Sequence, residues 1–375
     1  MKVSFNQTSQ INNYKPIVKN LKKEGPAVQT NYAERLVVPG VYYTGYCNVS
    51  FGGRPDMDFL LGFADRFKCA YTGRPMISKP KAKSIYEKLE KRPNAQSAIN
   101  LLQHLQGYMH DIESIVFDIL SDAPHKNKRD FQDILLELAP ESLIRLKLKQ
   151  YDILNSTNRL LPTLSEPVRE KVIAARDEAL TKMEDGTFGR KEPLERIKAI
   201  KAKGKDLTQV IKIYRKWYGL PASSTDLDAF IVSYSKKPHL QIAKRLISSA
   251  VASVEHVKPH SRGGGSDLSN LILVSAQFNN ARSSMPLWEF MMLNPQIDFA
   301  TNLQNYMNTV IDEIHDKNSP FAGRGYYPEK IKAVIDKETN SSVVLDTDRL
   351  CLTRVQRREM THLKKLGNVF RIIEK

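Results

Sequence analysis

The stretch from Ser253 to Met285, SVEHVKPHSRGGGSDLSNLILVSAQFNNARSSM, constrains the fold more than any other part of the chain. Its β-branched start and the apolar run from Leu271 to Val274 predict two strands, and the segment rich in Pro and Gly between them predicts a long loop. Ser275 is a suitable N-cap for a short helix, which Pro286 would end. The stretch therefore predicts the order strand, loop, strand, helix.

Five side chains that could do chemistry lie in this stretch at an ordered spacing: Glu255, His256, Asn270, Asn279 and Arg282. Because Asn279 and Arg282 are three residues apart, they share one face of the predicted helix. Glu255 and His256 are adjacent, so they point to opposite faces of a regular strand. A twist or a bulge is therefore needed there if both are to serve one site.

This ordered set resembles the HNH, or ββα-metal, endonuclease family. Glu255 and His256 stand where the family has an acidic residue followed by its catalytic histidine, and a proline, a serine and two glycines follow at the usual offsets. Asn270 matches the central asparagine, Asn279 matches the last motif position, and Arg282 stands where Lys or Arg is common. The resemblance implies a metal-dependent nuclease with a ββα-metal core.

The resemblance also implies a role for each side chain. His256 would be the general base, which suits an imidazole with an ordinary pKa of about 6.5. Glu255 and Asn279 would offer oxygen ligands to a divalent cation, most suitably magnesium, with manganese as the alternative. Asn270 would hold the loop that aims His256, with an ordinary turn asparagine as the alternative interpretation, and Arg282 would contact phosphate. His260 lies outside the matched positions and is interpreted as a loop histidine.

Many members of the family flank the motif with two C-x2-C pairs that hold a structural zinc ion. The corresponding positions here are Cys69, Thr72, Ser275 and Phe278. One thiol among four positions is unable to hold a tetrahedral zinc ion, so no structural zinc is expected and apolar packing should replace it. The turn around Cys69 and the motif are interpreted as two parts of one zinc-cysteine-poor unit.

About 170 residues separate this turn from the motif, which is too many for an ordinary loop. Apolar residues recur there at helical spacing. One stripe, from Ala98 to Ile119, predicts a helix of more than five turns, and a second stripe, from Phe131, is predicted to end at Pro140. The segment from Leu287 to Leu293 predicts a further helix that packs on the core. The predicted fold class is a helix-rich α+β protein with a small ββα-metal core and an inserted helical domain.

The predicted domain boundaries follow from these elements. They are 1–56 for an N-terminal arm with short strands, 57–80 for the first part of the core, 81–245 for the inserted helical domain, 246–295 for the motif and 296–375 for a basic helical region.

The formal net charge of +16 favours a polyanionic partner. Nucleic acid is such a polyanion, and DNA is favoured over RNA as the partner. No apolar run approaches the roughly 20 residues of a membrane-spanning helix, so no membrane partner is expected. Three cysteines far apart in sequence and a start without an apolar h-region predict a reducing compartment, the cytoplasm. The oligomeric state is left open.

The segment from Arg190 to Tyr218 is the most basic part of the predicted insertion, and it interleaves its cations with Tyr214 and Trp217. Contact with phosphates is one interpretation of this pattern, and a solvated face over an apolar core is the other. The basic tail from Arg349 allows the same two interpretations.

The activity predicted from the sequence is magnesium-dependent endonucleolytic cleavage of DNA, with His256 deprotonating water. A catalytically inactive nucleic-acid-binding protein that keeps the scaffold is the main alternative, because the zinc cysteines are missing and Glu255 stands where the family more often has Asp or His. A structural or protein-interaction module is a further alternative, and failure to bind DNA or RNA at any salt concentration would favour it.

Overall fold

The structure, a computed structural model, describes residues 55–92, 94–122, 130–322 and 326–340, which lie within one compact unit of the chain. The predicted N-terminal arm, the strands predicted between residues 35 and 51 and the basic tail from Arg349 lie outside these ranges. Within them the chain is helix-rich and has one two-stranded antiparallel sheet, which confirms the α+β class.

Ten α-helices precede the sheet in the described ranges, and four follow it. Those before the sheet are Pro55–Gly62, Lys79–Glu90, Ala95–Gln103, Asp111–Asp122, Phe131–Asn155, Glu166–Glu184, Lys191–Ala199, Gly204–Tyr218, Leu227–Tyr234 and His239–Ser248. Those after it are Ala276–Arg282, Leu287–Leu293, Phe299–His315 and Pro328–Glu338. No helix in the described ranges has the length and apolar character that a membrane crossing requires.

The sheet consists of β1, Ala252–His256, and β2, Leu271–Ser275. The strands pair antiparallel, with Ala252 opposite Ser275 and His256 opposite Leu271. All five residues of β2 are buried, as expected for an apolar strand covered on both faces. Ala276–Arg282, called the motif helix below, starts directly after β2. The predicted order strand, loop, strand, helix is therefore confirmed.

Three apolar clusters form the interior of the described residues. The first contains residues of both strands and of the turn around Cys69. It also contains residues of helices that precede and follow the sheet in sequence, among them Pro55–Gly62 and Leu287–Leu293. The second lies among the helices between residues 79 and 138 and those between 227 and 250. The third lies between residues 154 and 220. The sheet is thus supported mainly by segments outside the predicted insertion.

The turn around Cys69 packs directly against β2. The backbone N–H of Ala70 donates to the Leu273 carbonyl at 2.9 Å, and the N–H of Ser275 donates to the Cys69 sulfur at 3.4 Å. Cys69 and Phe278 are both buried in the first cluster. These two side chains therefore lie in one packed apolar interior.

Two helix boundaries differ from the predictions. The stripe from Ala98 to Ile119 forms two helices, because the chain turns between residues 104 and 110, where Gly107 has a low helix propensity. Conversely, the helix from Phe131 runs through Pro140 to Asn155. Pro140 is exposed, so water can satisfy the carbonyl that loses its helical partner.

Candidate active site

Glu255 and His256 are the last two residues of β1, and they differ in burial as alternation along a strand requires. The Glu255 side chain is 3% exposed, whereas the His256 side chain is partly exposed. Pairing with β2 continues without a bulge through His256. The twist or bulge that the sequence called for is therefore absent from this pair of described strands, and the two side chains occupy different faces.

Arg282 lies on the motif helix and reaches back to the end of β1. One guanidinium nitrogen, Nη1, donates to Glu255 Oε1 at 2.8 Å, to the Tyr71 hydroxyl at 3.0 Å and to the carbonyl of His256 at 2.7 Å. The other, Nη2, donates to the carbonyl of Val257. Arg282 has no exposed surface. The sequence predicted that this residue contacts phosphate; instead, its partners are the strand end and the turn around Cys69.

Burial controls the ionisation of Glu255. It raises the pKa of this carboxyl group to about 8, while the positive charge and hydrogen bond of Arg282 act in the opposite direction. The same desolvation raises the pKa of the Tyr71 hydroxyl beside it. Glu255 Oε1 is engaged by Arg282, but Oε2 is buried and has no hydrogen-bond partner among the described residues. This oxygen is a site where a cation would replace lost hydration.

Asn270 ties together the loop of residues 257–270, called the motif loop below. Its Oδ1 accepts from the Lys258 N–H at 2.8 Å, and its Nδ2 donates to the carbonyls of Lys258 and Gly265 at 2.9 and 2.7 Å. A Cβ atom at Gly264 would lie 1.9 Å from the Lys258 carbonyl oxygen, so only glycine fits there. Asn270 is buried, and its geometry is that of a positioning residue.

The C-terminal half of the motif loop contacts His256. Nε2 of His256 hydrogen-bonds with the Ser266 hydroxyl at 3.3 Å. The imidazole rings of His256 and His260 have centroids 6.2 Å apart, and Nδ1 of His260 bonds with the Gly264 carbonyl at 3.1 Å. Ser266 was not predicted as a site residue from the sequence, although its place directly after three glycines indicates a tight turn. A hydrogen bond to Nε2 would direct Nδ1 of His256 toward a substrate water.

Asn279 reaches β1 from the same helix as Arg282. Its amide nitrogen donates to the Ser253 hydroxyl and to the Val254 carbonyl, the latter at 3.1 Å. Ser253 and Glu255 are two residues apart and share a face of β1. Both predicted oxygen ligands therefore lie along one face of this strand, and the bonds made by the amide nitrogen leave Oδ1 of Asn279 as the atom for a cation.

The residue types present suit a hard divalent cation only if water and substrate complete its coordination. The described residues hold no group of three or more His, Cys, Asp or Glu side chains that could bind a metal ion by themselves. One carboxylate and one amide oxygen are few ligands, but magnesium often keeps several waters and binds through one or two carboxylates plus phosphate. The unsatisfied Oε2 of Glu255 is the observation that supports such a site.

Comparisons with protein-family models, with curated proteins and with solved structures give no match to this chain. The resemblance to a nuclease family therefore depends on the motif residues of the sequence.

Proposed function

We propose that the chain is a metal-dependent endonuclease of the HNH type that hydrolyses phosphodiester bonds in DNA. One observation supports this proposal: all five motif side chains lie on β1 or bond to β1 or to the loop that follows it, with Glu255 and His256 on different faces of the strand. Asn279 and Arg282 reach the strand from the motif helix, and Asn270 closes the loop that carries Ser266 to His256.

In this proposal His256 is the catalytic residue. Its partly exposed imidazole takes a proton from the attacking water at Nδ1, while the Ser266 hydroxyl holds Nε2. Asn270 positions the loop. Arg282 holds the backbone carbonyls of His256 and Val257, so it acts on the base through the strand end and has a positioning role.

Glu255 and Asn279 would hold the divalent cation through Oε2 and Oδ1. When bound, such an ion neutralises the charge that develops on the phosphate and on the leaving oxygen. At neutral pH the buried carboxyl of Glu255 must lose its proton to become a ligand, so metal binding would release protons. The net charge of +16 favours nucleic acid as the substrate, and DNA is proposed ahead of RNA.

The test is cleavage of supercoiled plasmid by purified protein with magnesium, with manganese and with EDTA. The proposal expects nicked or linear product with either metal and none with EDTA. His256→Ala should lower the rate roughly 100-fold or more, because a general base contributes about 10²–10⁴-fold. His104→Ala is the matched control, since His104 is an exposed histidine in the inserted helices, and it should cleave as the wild type does.

A second candidate function is a nucleic-acid-binding protein without catalysis. The observation that favours it is the ion pair of Glu255 with Arg282, in which a guanidinium already occupies one oxygen of the proposed metal ligand. If the protein retards DNA on a gel but leaves plasmid intact with both metals, and His256→Ala behaves in the same way, this second function replaces the first.

A further inference from the structure

Four exposed lysines, called the lysine row below, lead into and lie along the helix Gly204–Tyr218: Lys201, Lys203, Lys205 and Lys212. In the part of the chain that the structure describes, none of them forms an ion pair with an acidic side chain. Uncompensated cations at this density leave a local positive potential, because nearby charges of the same sign add.

The preceding helices have more cations but a different balance of positive and negative charge. Residues 166–199 contain eight Lys or Arg and eight Asp or Glu, whereas residues 201–218 contain six Lys or Arg and one Asp. In the first segment the charges pair with each other; Lys182 binds Glu178 and Glu192, and Arg196 binds Glu178 at 2.6 Å. The positive field of this region therefore comes from residues 201–218.

The single acidic residue of residues 201–218, Asp206, is hydrogen-bonded to the start of a different helix, although the charge of Lys205 also acts on it. The Asp206 carboxylate accepts from the Ser165 backbone N–H at 3.0 Å and from the Ser165 hydroxyl. These hydrogen bonds hold the pKa of Asp206 below its usual range. The carboxylate stays ionised but serves the start of the helix Glu166–Glu184, and the lysine row keeps its charge.

The helix that carries Lys205 and Lys212 is fixed relative to the motif. Tyr218 is buried in the same apolar cluster as β1 and β2, and Arg215 Nη2 lies 3.2 Å from the Met292 sulfur on the helix Leu287–Leu293. Lys205 and Lys212 are seven residues apart, which is two helical turns and about 10.5 Å along one face. This rise is close to three steps of about 3.4 Å along one DNA strand.

We propose that the lysine row binds the phosphate backbone of DNA and holds the duplex that the motif cleaves. This inference deepens the proposed function and rests on it for the identity of the substrate. An acidic membrane surface fits less well, because membrane docking requires exposed apolar side chains beside the cations. Leu207 and Ile211, the exposed apolar residues of this helix, are about 200° and 240° around its axis from Lys205.

The test compares two variants that each lose four positive charges. One is Lys201→Gln/Lys203→Gln/Lys205→Gln/Lys212→Gln, and the control is Lys147→Gln/Lys171→Gln/Lys191→Gln/Lys198→Gln, all exposed positions in the same helical region. Binding to a labelled 30-base-pair duplex is measured by anisotropy in EDTA over a range of salt, and thermal unfolding checks that both variants fold.

The lysine-row variant should bind roughly 30-fold more weakly at low salt, and its slope of log K against log salt should fall by about 3.6, which is four contacts at about 0.9 each. The control should change the slope by less than one. Equal effects of the two variants would overturn the proposal, as would unchanged DNA binding with lost binding to phosphatidylserine vesicles. Row-dependent binding without plasmid cleavage would instead refute the nuclease and leave the DNA surface in place.

Discussion

Two buried glutamate–arginine pairs lie in different parts of the molecule. Glu255 pairs with Arg282 in the motif, and Glu113 pairs with Arg245 among the helices that precede the sheet in sequence. All four side chains are at most 3% exposed, and each carboxylate has one oxygen, Oε2, without a hydrogen-bond partner among the described residues. By residue type, burial and charge the two pairs are nearly equivalent.

They differ in what the arginine holds. Arg245 lies over the rings of Phe230 and Tyr234, 5.3 and 5.7 Å from their centroids, and joins helix Asp111–Asp122 to helix His239–Ser248. Arg245 donates to one backbone carbonyl, that of Ser223 at 3.3 Å, whereas Arg282 donates to two successive carbonyls at the point where β1 becomes the motif loop. A buried ion pair is therefore no sign of a functional site in itself. The local backbone that the pair fixes distinguishes a positioning role from a purely structural one.

Substitution of either arginine should give the largest loss of stability. The two substitutions should differ in their effect on plasmid cleavage. Arg245→Met should lower the free energy of unfolding by about 3–5 kcal/mol, because it leaves the buried carboxylate of Glu113 without its partner. Arg282→Met should lower it by a similar amount, about 3–5 kcal/mol, because the Glu255 carboxyl group and two backbone carbonyls lose their buried donor together. Urea unfolding measures this loss. At a temperature where both variants are folded, Arg245→Met should keep plasmid cleavage and Arg282→Met should lose it. Equal cleavage by the two variants would remove the distinction drawn between the pairs.

Substitution of the two glutamates should also distinguish the two ion pairs. Glu255→Gln should lower the rate of cleavage about 100-fold, because an amide oxygen is a weaker ligand for a divalent cation than a carboxylate. Glu113→Gln keeps the shape of its side chain and should stay within about threefold of the wild type, since the contribution of this residue is confined to packing. Rates at saturating magnesium provide the measurement. A similar loss in both variants would assign the effect to folding.

His110 lies one turn before Glu113, and its ring contacts that of Phe278 on the motif helix, so it couples the two regions. Burial lowers the pKa of His110 to about 3, and the charges of Arg74 and Arg245 act in the same direction. The folded state therefore binds fewer protons than the unfolded state between about pH 6.5 and pH 3. The stability contributed by neutral His110 is complete above pH 6.5 and is lost as the pH falls.

The expected loss is up to about 1.4 kcal/mol per pH unit below 6.5. His110→Gln should remove this part of the acid sensitivity, and His104→Gln, at an exposed position, should leave it unchanged. Urea unfolding at pH 7, 6 and 5 gives the comparison. Parallel stability curves for the wild type and His110→Gln would contradict the buried, neutral imidazole.

Ser266 should give the smallest effect. Its bond with His256 is long, at 3.3 Å, and exposed, and such a bond contributes roughly 0.5–1 kcal/mol. Ser266→Ala should therefore lower kcat about two- to fivefold with little change in KM, and Ser266→Thr should restore it. Ser261→Ala, in the same loop, is the control. An increase in KM without a change in kcat would mean that Ser266 binds substrate and does not orient the base.

The local order of the motif was predictable because a β-branched start, a glycine-rich loop and an apolar run are encoded within thirty residues. Ser275 stands at the N-cap position of the motif helix, as predicted, but its side chain makes no capping hydrogen bond. The surroundings of Arg282 were not predictable, because Tyr71 lies 211 residues away in sequence and only the fold brings it to the guanidinium. A surface arginine and a buried one look alike in a sequence. The same holds for Pro140, whose effect depends on whether the helix face that carries it meets water.

The central claim is that the His256 imidazole deprotonates the attacking water, and the single-turnover rate of DNA cleavage by His256→Ala tests it most directly. With magnesium present, the rate should fall at least about 100-fold relative to the wild type, and imidazole added to the buffer should restore part of it. A rate for His256→Ala within about threefold of the wild type, with no response to imidazole, would contradict the claim.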